Sequence, residues 1–352
     1  MAQETETMAE LDLSSAIAVG GPYFDELSLG QVFDTAPSMT LTSGAAALHQ
    51  AILGDRLRLA LDAHLSEKVT GRPNPLAHPG LVCDVAIGQS TLATHHVKAN
   101  LFYRGLRFHS FPYIGDTLST RTEVVGLRAN SVKPGRRPTG LAALRMETTD
   151  QDGRKVLDFY RCAMIPLSDE PKNDRPVPAD DLGLIGADSQ ASLSVPERWN
   201  LSALTPSAPR WTAARSGTTF SSSADVVSSA PELARLTLNI AATHHDYRAN
   251  GGRRLVYGGH TIGIALAQAT RALPNLVTVL GWQSCDHLGP VHEGDTITSQ
   301  LQVESCESIG GGAAVLRLRS IAYVVPGDTG GESEQPGTGV PVLDWRFTAL
   351  TT

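Results

Sequence analysis

Groups able to move protons or to stabilise negative charge converge in one segment, LTLNIAATHHDYRANGGRRLVYGGHTIG, residues 236–263. Asn239 and His244 stand five residues apart, just after the apolar positions Leu233, Leu236 and Leu238. An imidazole accepts or donates a proton near its natural pKa, close to neutrality. An amide can hold and orient a water but cannot take its proton. Further on, Gly258 and Gly259 form a glycine turn that opens a helix. Backbone N–H groups at a helix start are unpaired and favour negative charge. A carbonyl oxygen placed against the Gly259 N–H would therefore be stabilised as it gains charge. Together these groups suit the addition of water to a double bond conjugated with a thioester.

The neighbouring residues carry weaker claims. His260 falls in the first helical turn, where it could donate to a ligand or simply pack. His245 reads as a solvent-facing residue or as a partner for the site. Arg253 and Arg254 could pair with phosphates or a carboxylate, or form a solvated turn. Asn239 could act only as a helix cap, and the two glycines could serve turn geometry alone. Asp286 and His287 lie at a strand end. In the first half, Gly54–Asp55 is followed five residues later by Ala60, so Asp55 is a carboxylate without an acid–base partner.

The elements that must position these residues occur twice. VLDFYRCAMIP starts at Val156 and VLDWRFTAL at Val342, 186 residues apart. GDTLSTRTEV (Gly115) and GDTITSQLQV (Gly294) lie 179 apart, as do Gly80 of HPGLV and Gly259 of YGGHT. Three landmarks in one order at a near-constant offset indicate an internal duplication. Ile262, Leu266, Ala269 and Leu273 recur at helical spacing in HTIGIALAQATRAL, and LVCDVAIGQSTLA is its counterpart. Strands follow in each copy: an apolar run, VTVLGWQS, then the alternating DTITSQLQVES and AAVLRLRSIAYVV. One buried helix followed by an antiparallel meander predicts an α+β chain of two tandem hot-dog units. The expected divisions are a flexible N-terminus (1–20), an N-terminal unit (21–167), a Pro/Asp/Ser-rich surface linker (168–210) and a C-terminal unit (211–352). PGDTGGESEQPGTG, near residue 330, reads as the loop of an exposed hairpin.

Bulk properties narrow the function class. The 352 residues are 41% hydrophobic and 18% charged, enough for a proper core. A net charge of −7 offers no basic face, so neither nucleic acid nor an anionic membrane is expected as partner. The short basic run KPGRR (133–137) reads as an exposed hairpin tip. Cys83, Cys162, Cys285 and Cys306 show no metal-like or CxxC spacing and read as reduced thiols of a cytoplasmic protein. The acidic N-terminal stretch is unlike a signal peptide, and no apolar run is long enough to span a bilayer.

The Asn239/His244 spacing and the eight-residue run RRLVYGGH, Arg253 to His260, resemble the MaoC-type (R)-specific enoyl-CoA hydratases, whose double hot-dog members fuse two such copies. The resemblance covers nearly the whole chain, including YFDELSLGQVF at the start of copy one. The family pattern pairs an aspartate with a histidine five residues on. Here the histidine matches, and asparagine stands in place of the aspartate, as in the mesaconyl-CoA hydratase branch. The resemblance implies a hydro-lyase without cofactor acting on a branched or carboxylated enoyl-CoA such as mesaconyl-CoA. On this view Asn239 and His244 are catalytic, Gly258, Gly259 and His260 receive the thioester, and copy one is a degenerate half that shapes the pocket. The acyl-CoA is the expected partner, with a homodimer as a further expected assembly. Two other readings stay open on the residues alone: a hot-dog thioesterase, and a non-catalytic acyl-CoA-binding or scaffold protein.

Overall fold

A computed structural model describes residues 19–170, 178–186, 193, 195–325 and 339–352. Most of the N-terminal stretch, parts of the linker, and nearly all of the loop near residue 330 lie outside these residues. The first half contains β1 (Val32–Phe33), β2 (Met39–Thr40), α1 (Ser43–Leu53), α2 (Arg58–Leu61), α3 (Ala63–Thr70), α4 (Pro79–Gln89), β3 (Ala99–Phe108), β4 (Thr117–Ala129), β5 (Thr139–Thr149) and β6 (Lys155–Pro166). The second contains β7 (Thr219–Ser221), β8 (Asp225–Val226), α5 (Ala230–Leu236), α6 (Ala242–His245), α7 (Gly258–Ala272), β9 (Leu276–His287), β10 (Thr296–Gly310), β11 (Ala313–Val324) and β12 (Val340–Thr351).

The twelve strands among the described residues form one antiparallel sheet in the order β1-β4-β5-β6-β3-β9-β12-β11-β10-β7, with β2 on β4 and β8 on β10. The order is a palindrome about the β3–β9 seam. There Phe102 faces Asp286, Leu106 faces Trp282 and Arg107 faces Gly281. Each half wraps its sheet around one helix. α4 and α7 are apolar nearly all round and almost wholly buried, as central helices must be.

The repeat landmarks have the same structural job in both halves. Gly115 and Gly294 both turn with positive φ, at 105° and 91°. The aspartate after each accepts a backbone N–H three residues back, Tyr113 to Asp116 at 2.7 Å and His292 to Asp295 at 2.8 Å. The V-L-D aspartates make matching cross-strand ion pairs, Asp158 with Arg145 and Asp344 with Arg319. Gln89 and Gln268 tie the two central helices to their sheets through backbone carbonyls. The KPGRR segment is an exposed tip between β4 and β5.

The halves differ in what surrounds the helix starts. Linker residues do more than cross the surface: Leu193, Val195, Trp199, Leu201 and Leu204 pack with Leu59, Val69, Leu76, Val277, Leu280 and Leu350. Phe111 joins this cluster, stacked on Phe108 (ring centroids 5.6 Å apart) and against Trp199 (5.3 Å). Each such side chain fully withdrawn from water contributes roughly 1.5–3 kcal/mol.

Candidate active site

A cavity of about 320 Å³ lies between the halves. Asn239, Thr243, His244, Tyr257, Gly258 and His287 line it from the second half, and Thr91, Lys98, Asn100, Tyr103 and Arg161 from the first. Among the described residues, no aspartate or glutamate lines it.

The loop carrying Asn239 is held in place by copy one. Leu238 has a φ of 61°, the left-handed region that a branched side chain seldom occupies. Gly54, at the equivalent place before Asp55, has a φ of 72°. The loop crosses α4 so closely that a Cβ on Gly88 would lie 1.6 Å from the Thr237 carbonyl oxygen. Only glycine permits that approach. The Ile240 N–H also donates to Thr91 Oγ1, at 3.0 Å.

Asn239 is 3% exposed. Its Oδ1 accepts the Ala241 N–H at 3.0 Å, which leaves the amide NH2 as the donor for a ligand. His245 Nε2 donates to the Asn239 carbonyl oxygen at 2.6 Å and so braces the loop. His244 Nδ1 donates to the Leu255 carbonyl at 2.9 Å. That bond places the proton on Nδ1 and leaves Nε2 as the lone-pair nitrogen. Burial lowers the His244 pKa to about 4, with the Leu255 hydrogen bond opposing and the nearby His245 and Arg161 adding to the shift. His244 is therefore a neutral base at pH 7, and the expectation that it titrates near its ordinary value is overturned by burial.

Gly258 and Gly259 were expected to form a turn. They are instead the first two residues of α7, neither with positive φ. Their missing side chains serve close packing. A Cβ on Gly258 would lie 2.5 Å from His287 Nε2, and one on Gly259 would lie 2.2 Å from Asp84 Oδ1. No side chain caps this helix, so its first N–H groups stand open beside Gly258, at the cavity wall. The equivalent helix α4 is closed: His78 Nδ1 accepts the Gly80 N–H at 3.1 Å, and Pro79 has no N–H to offer.

The other candidate residues lie off the cavity. His260 is fully buried, with burial lowering its pKa to about 4 and neither ring nitrogen hydrogen-bonded. Arg253 is ion-paired to Asp295 at 2.8 Å and Arg254 to Glu293 at 2.7 Å. Asp55, expected to lack an acid–base partner, has one: His78 Nε2 lies 2.9 Å away, from a histidine outside the five-residue spacing, and the carboxylate also accepts the Leu57 N–H at 2.7 Å. Burial raises its pKa, but His78 outweighs this and the carboxylate stays below its ordinary range. His49, 3.1 Å from Asp84, completes a buried cluster behind α4.

Three cavity residues had little or no signal in the reading of the sequence. His287, at the end of β9, is buried with Nε2 unpaired, and burial lowers its pKa to about 4. Tyr103 lies edge-on to His287 (5.7 Å), and burial pushes its phenol pKa well above the ordinary tyrosine value. Arg161 is 3% exposed and shares one face of β6 with Phe159 and Ala163. A cation in phase with buried apolar residues was the available signal.

No family model matches the chain. It is 61% identical to a conserved protein of Mycobacterium tuberculosis, described as essential for bacterial survival during infection and as having a double hot-dog fold. The two structures agree with a TM-score of 0.87, over 96% of this chain and 100% of that one. It is 28% identical to the beta-methylmalyl-CoA dehydratase of Chloroflexus aurantiacus, over 86% of this chain and 88% of the relative. To the mesaconyl-CoA hydratase of Cereibacter sphaeroides it is 26% identical, over 86% and 89%. With two matched halves about one seam and this set of relatives, the chain belongs to the MaoC-like double hot-dog family.

Proposed function

We propose that this chain is an acyl-CoA hydro-lyase that needs no cofactor, adding water to a carboxylated enoyl-CoA such as mesaconyl-CoA or removing it from the β-hydroxy product. The carrying observation is the His244 imidazole, held by Leu255 with its lone-pair nitrogen free, lining one cavity with Asn239 and the open start of α7. The two curated relatives, named for hydration and dehydration at these acyl groups, support the same reading.

In the hydration direction the Asn239 amide orients a water, and His244 Nε2 takes one of its protons. The hydroxide oxygen bonds to Cβ, and the π electrons move to the thioester oxygen as an enolate. The first N–H groups of α7 at Gly258 and Gly259 stabilise that oxygen. The enolate then collapses, and the proton on His244 passes to Cα, so one water is added and the imidazole is returned neutral. Residues 211–352 supply these groups, and residues 21–167 supply the opposite wall.

A panel of enoyl-CoA thioesters followed by mass spectrometry tests the reading. A gain of 18 mass units is expected for hydration, reduced at least about a hundredfold in His244→Ala. The acid limb of kcat/KM is expected near pH 4, where His244 protonates, and not near 6.5. Release of free CoA without that gain would point to a thioesterase. Turnover unchanged in His244→Ala would overturn the assignment.

A further inference from the structure

Arg161 stands out because, among the described residues, no acid pairs with its charge. Its side chain reaches from β6 into the wall shared with Asn239, His244 and His287. Two neutral hydroxyls hold it: NH1 donates to Ser90 Oγ at 2.8 Å and NH2 to Thr94 Oγ1 at 3.0 Å. Among the described residues its Nε has no hydrogen-bond partner. Among the described residues no carboxylate lies within ion-pair distance of it, and the nearby acids are committed elsewhere. Asp84 is engaged by His49, and Asp158, three residues along the strand, by Arg145. Asp286, the neighbour of His287 on β9, has its side chain on the opposite face of that strand.

A buried guanidinium without an anion is costly, because its lost hydration is repaid only in part by neutral acceptors. Such a cost is tolerated where a ligand brings the missing charge. The fork shape of the guanidinium suits two carboxylate oxygens. A CoA phosphate is a poor occupant, since Arg161 is among the most buried groups of the cavity whereas Lys98, on the same wall, is exposed. The acyl end must therefore carry the charge.

We infer that Arg161, and neither Arg253 nor Arg254, binds the free carboxylate of the carboxylated acyl group. The assignment rests on the proposed use of this cavity as the acyl site. It makes Arg161 the specificity-determining residue, contributed by the half that lacks His244.

The test separates binding from chemistry by using saturated thioesters that cannot be hydrated. Affinity of the full chain is measured calorimetrically for methylsuccinyl-CoA, for its terminal primary amide and for butyryl-CoA. Wild type should bind the carboxylate form at least roughly thirtyfold tighter than either neutral ligand. Arg161→Gln should abolish that preference while leaving butyryl-CoA affinity within about threefold, and Arg161→Lys should restore part of it. If the Gln variant does not fold, the wild-type comparison of carboxylate with isosteric amide still decides. Equal affinity for the two, or a preference that survives in Arg161→Gln, overturns the inference. A carboxylate preference without hydration of any enoyl-CoA would uphold the role of Arg161 and count against the hydro-lyase instead.

Discussion

At the residue scale, the exchange of a carboxylate for an amide at position 239 changes the charge of the cavity more than its shape. Asn239 Oδ1 accepts the Ala241 N–H, as Asp55 Oδ1 accepts the Leu57 N–H in the equivalent loop, so either residue type supports the same turn. A carboxylate at 239 would add a negative charge where a carboxylated acyl group must sit. Asn239→Asp is therefore expected to lower kcat/KM for a carboxylated enoyl-CoA relative to a neutral one, by about tenfold or roughly 1.4 kcal/mol. Equal ratios of kcat/KM in variant and wild type would contradict this. His244 and Asn239 were legible in the sequence because their spacing is local. Arg161 and His287 were not: strands far apart in the chain bring them to the cavity, and a strand position reveals its face only once the sheet is known.

At the element scale, function depends on how tightly α4 and the 237–241 loop approach one another. Gly88→Ala would drive a methyl group into the Thr237 carbonyl, and backbone cannot yield as a flexible side chain can. Overpacking of this kind typically costs about 1–3 kcal/mol. A displacement of about 1 Å in a positioning loop can cost a hundredfold in rate. The variant is expected to remain folded, with a lower melting temperature and kcat/KM reduced by about that factor. Full activity in Gly88→Ala would show that the loop is not seated on α4. The two central helices and the long strands were legible from periodicity and the repeat, whereas α1, α3 and α5 were not read from the sequence. The contact at Gly88 was not, because a glycine in a helix looks the same whether it faces a neighbouring backbone or empty space. The open start of α7 was legible only as a pair of glycines, whose purpose proved to be packing and not a turn.

At the scale of the whole molecule, several buried histidines must stay neutral for the chain to fold. His244, His260 and His287 each have a folded-state pKa near 4, against about 6.5 unfolded, with burial as the leading cause. A depressed histidine pKa leaves stability complete above 6.5 and removes it as pH falls towards 4, by up to about 1.4 kcal/mol per pH unit per group. Thermal unfolding is expected to shift down by several degrees between pH 7 and pH 5, and a flat profile would contradict the burial described. The duplication itself was plain in three landmarks, but the packing of the linker was not. Trp199 and Leu204 could not be assigned to the cluster with Leu59, Leu76 and Leu280 without the fold. The register of the seam adds a consequence. Arg161 pairs with Tyr103 as Phe347 pairs with Trp282, so Arg161 and Phe347 occupy the same place in the two halves. In a symmetric dimer of separate subunits one gene would write both positions, and every ligand-seeking charge would be buried twice, once uselessly. A covalent tandem escapes that constraint. One position can specialise in recognition while its twin becomes ordinary hydrophobic core, which makes the fused chain, more than either half, the unit on which selection for substrate choice can act.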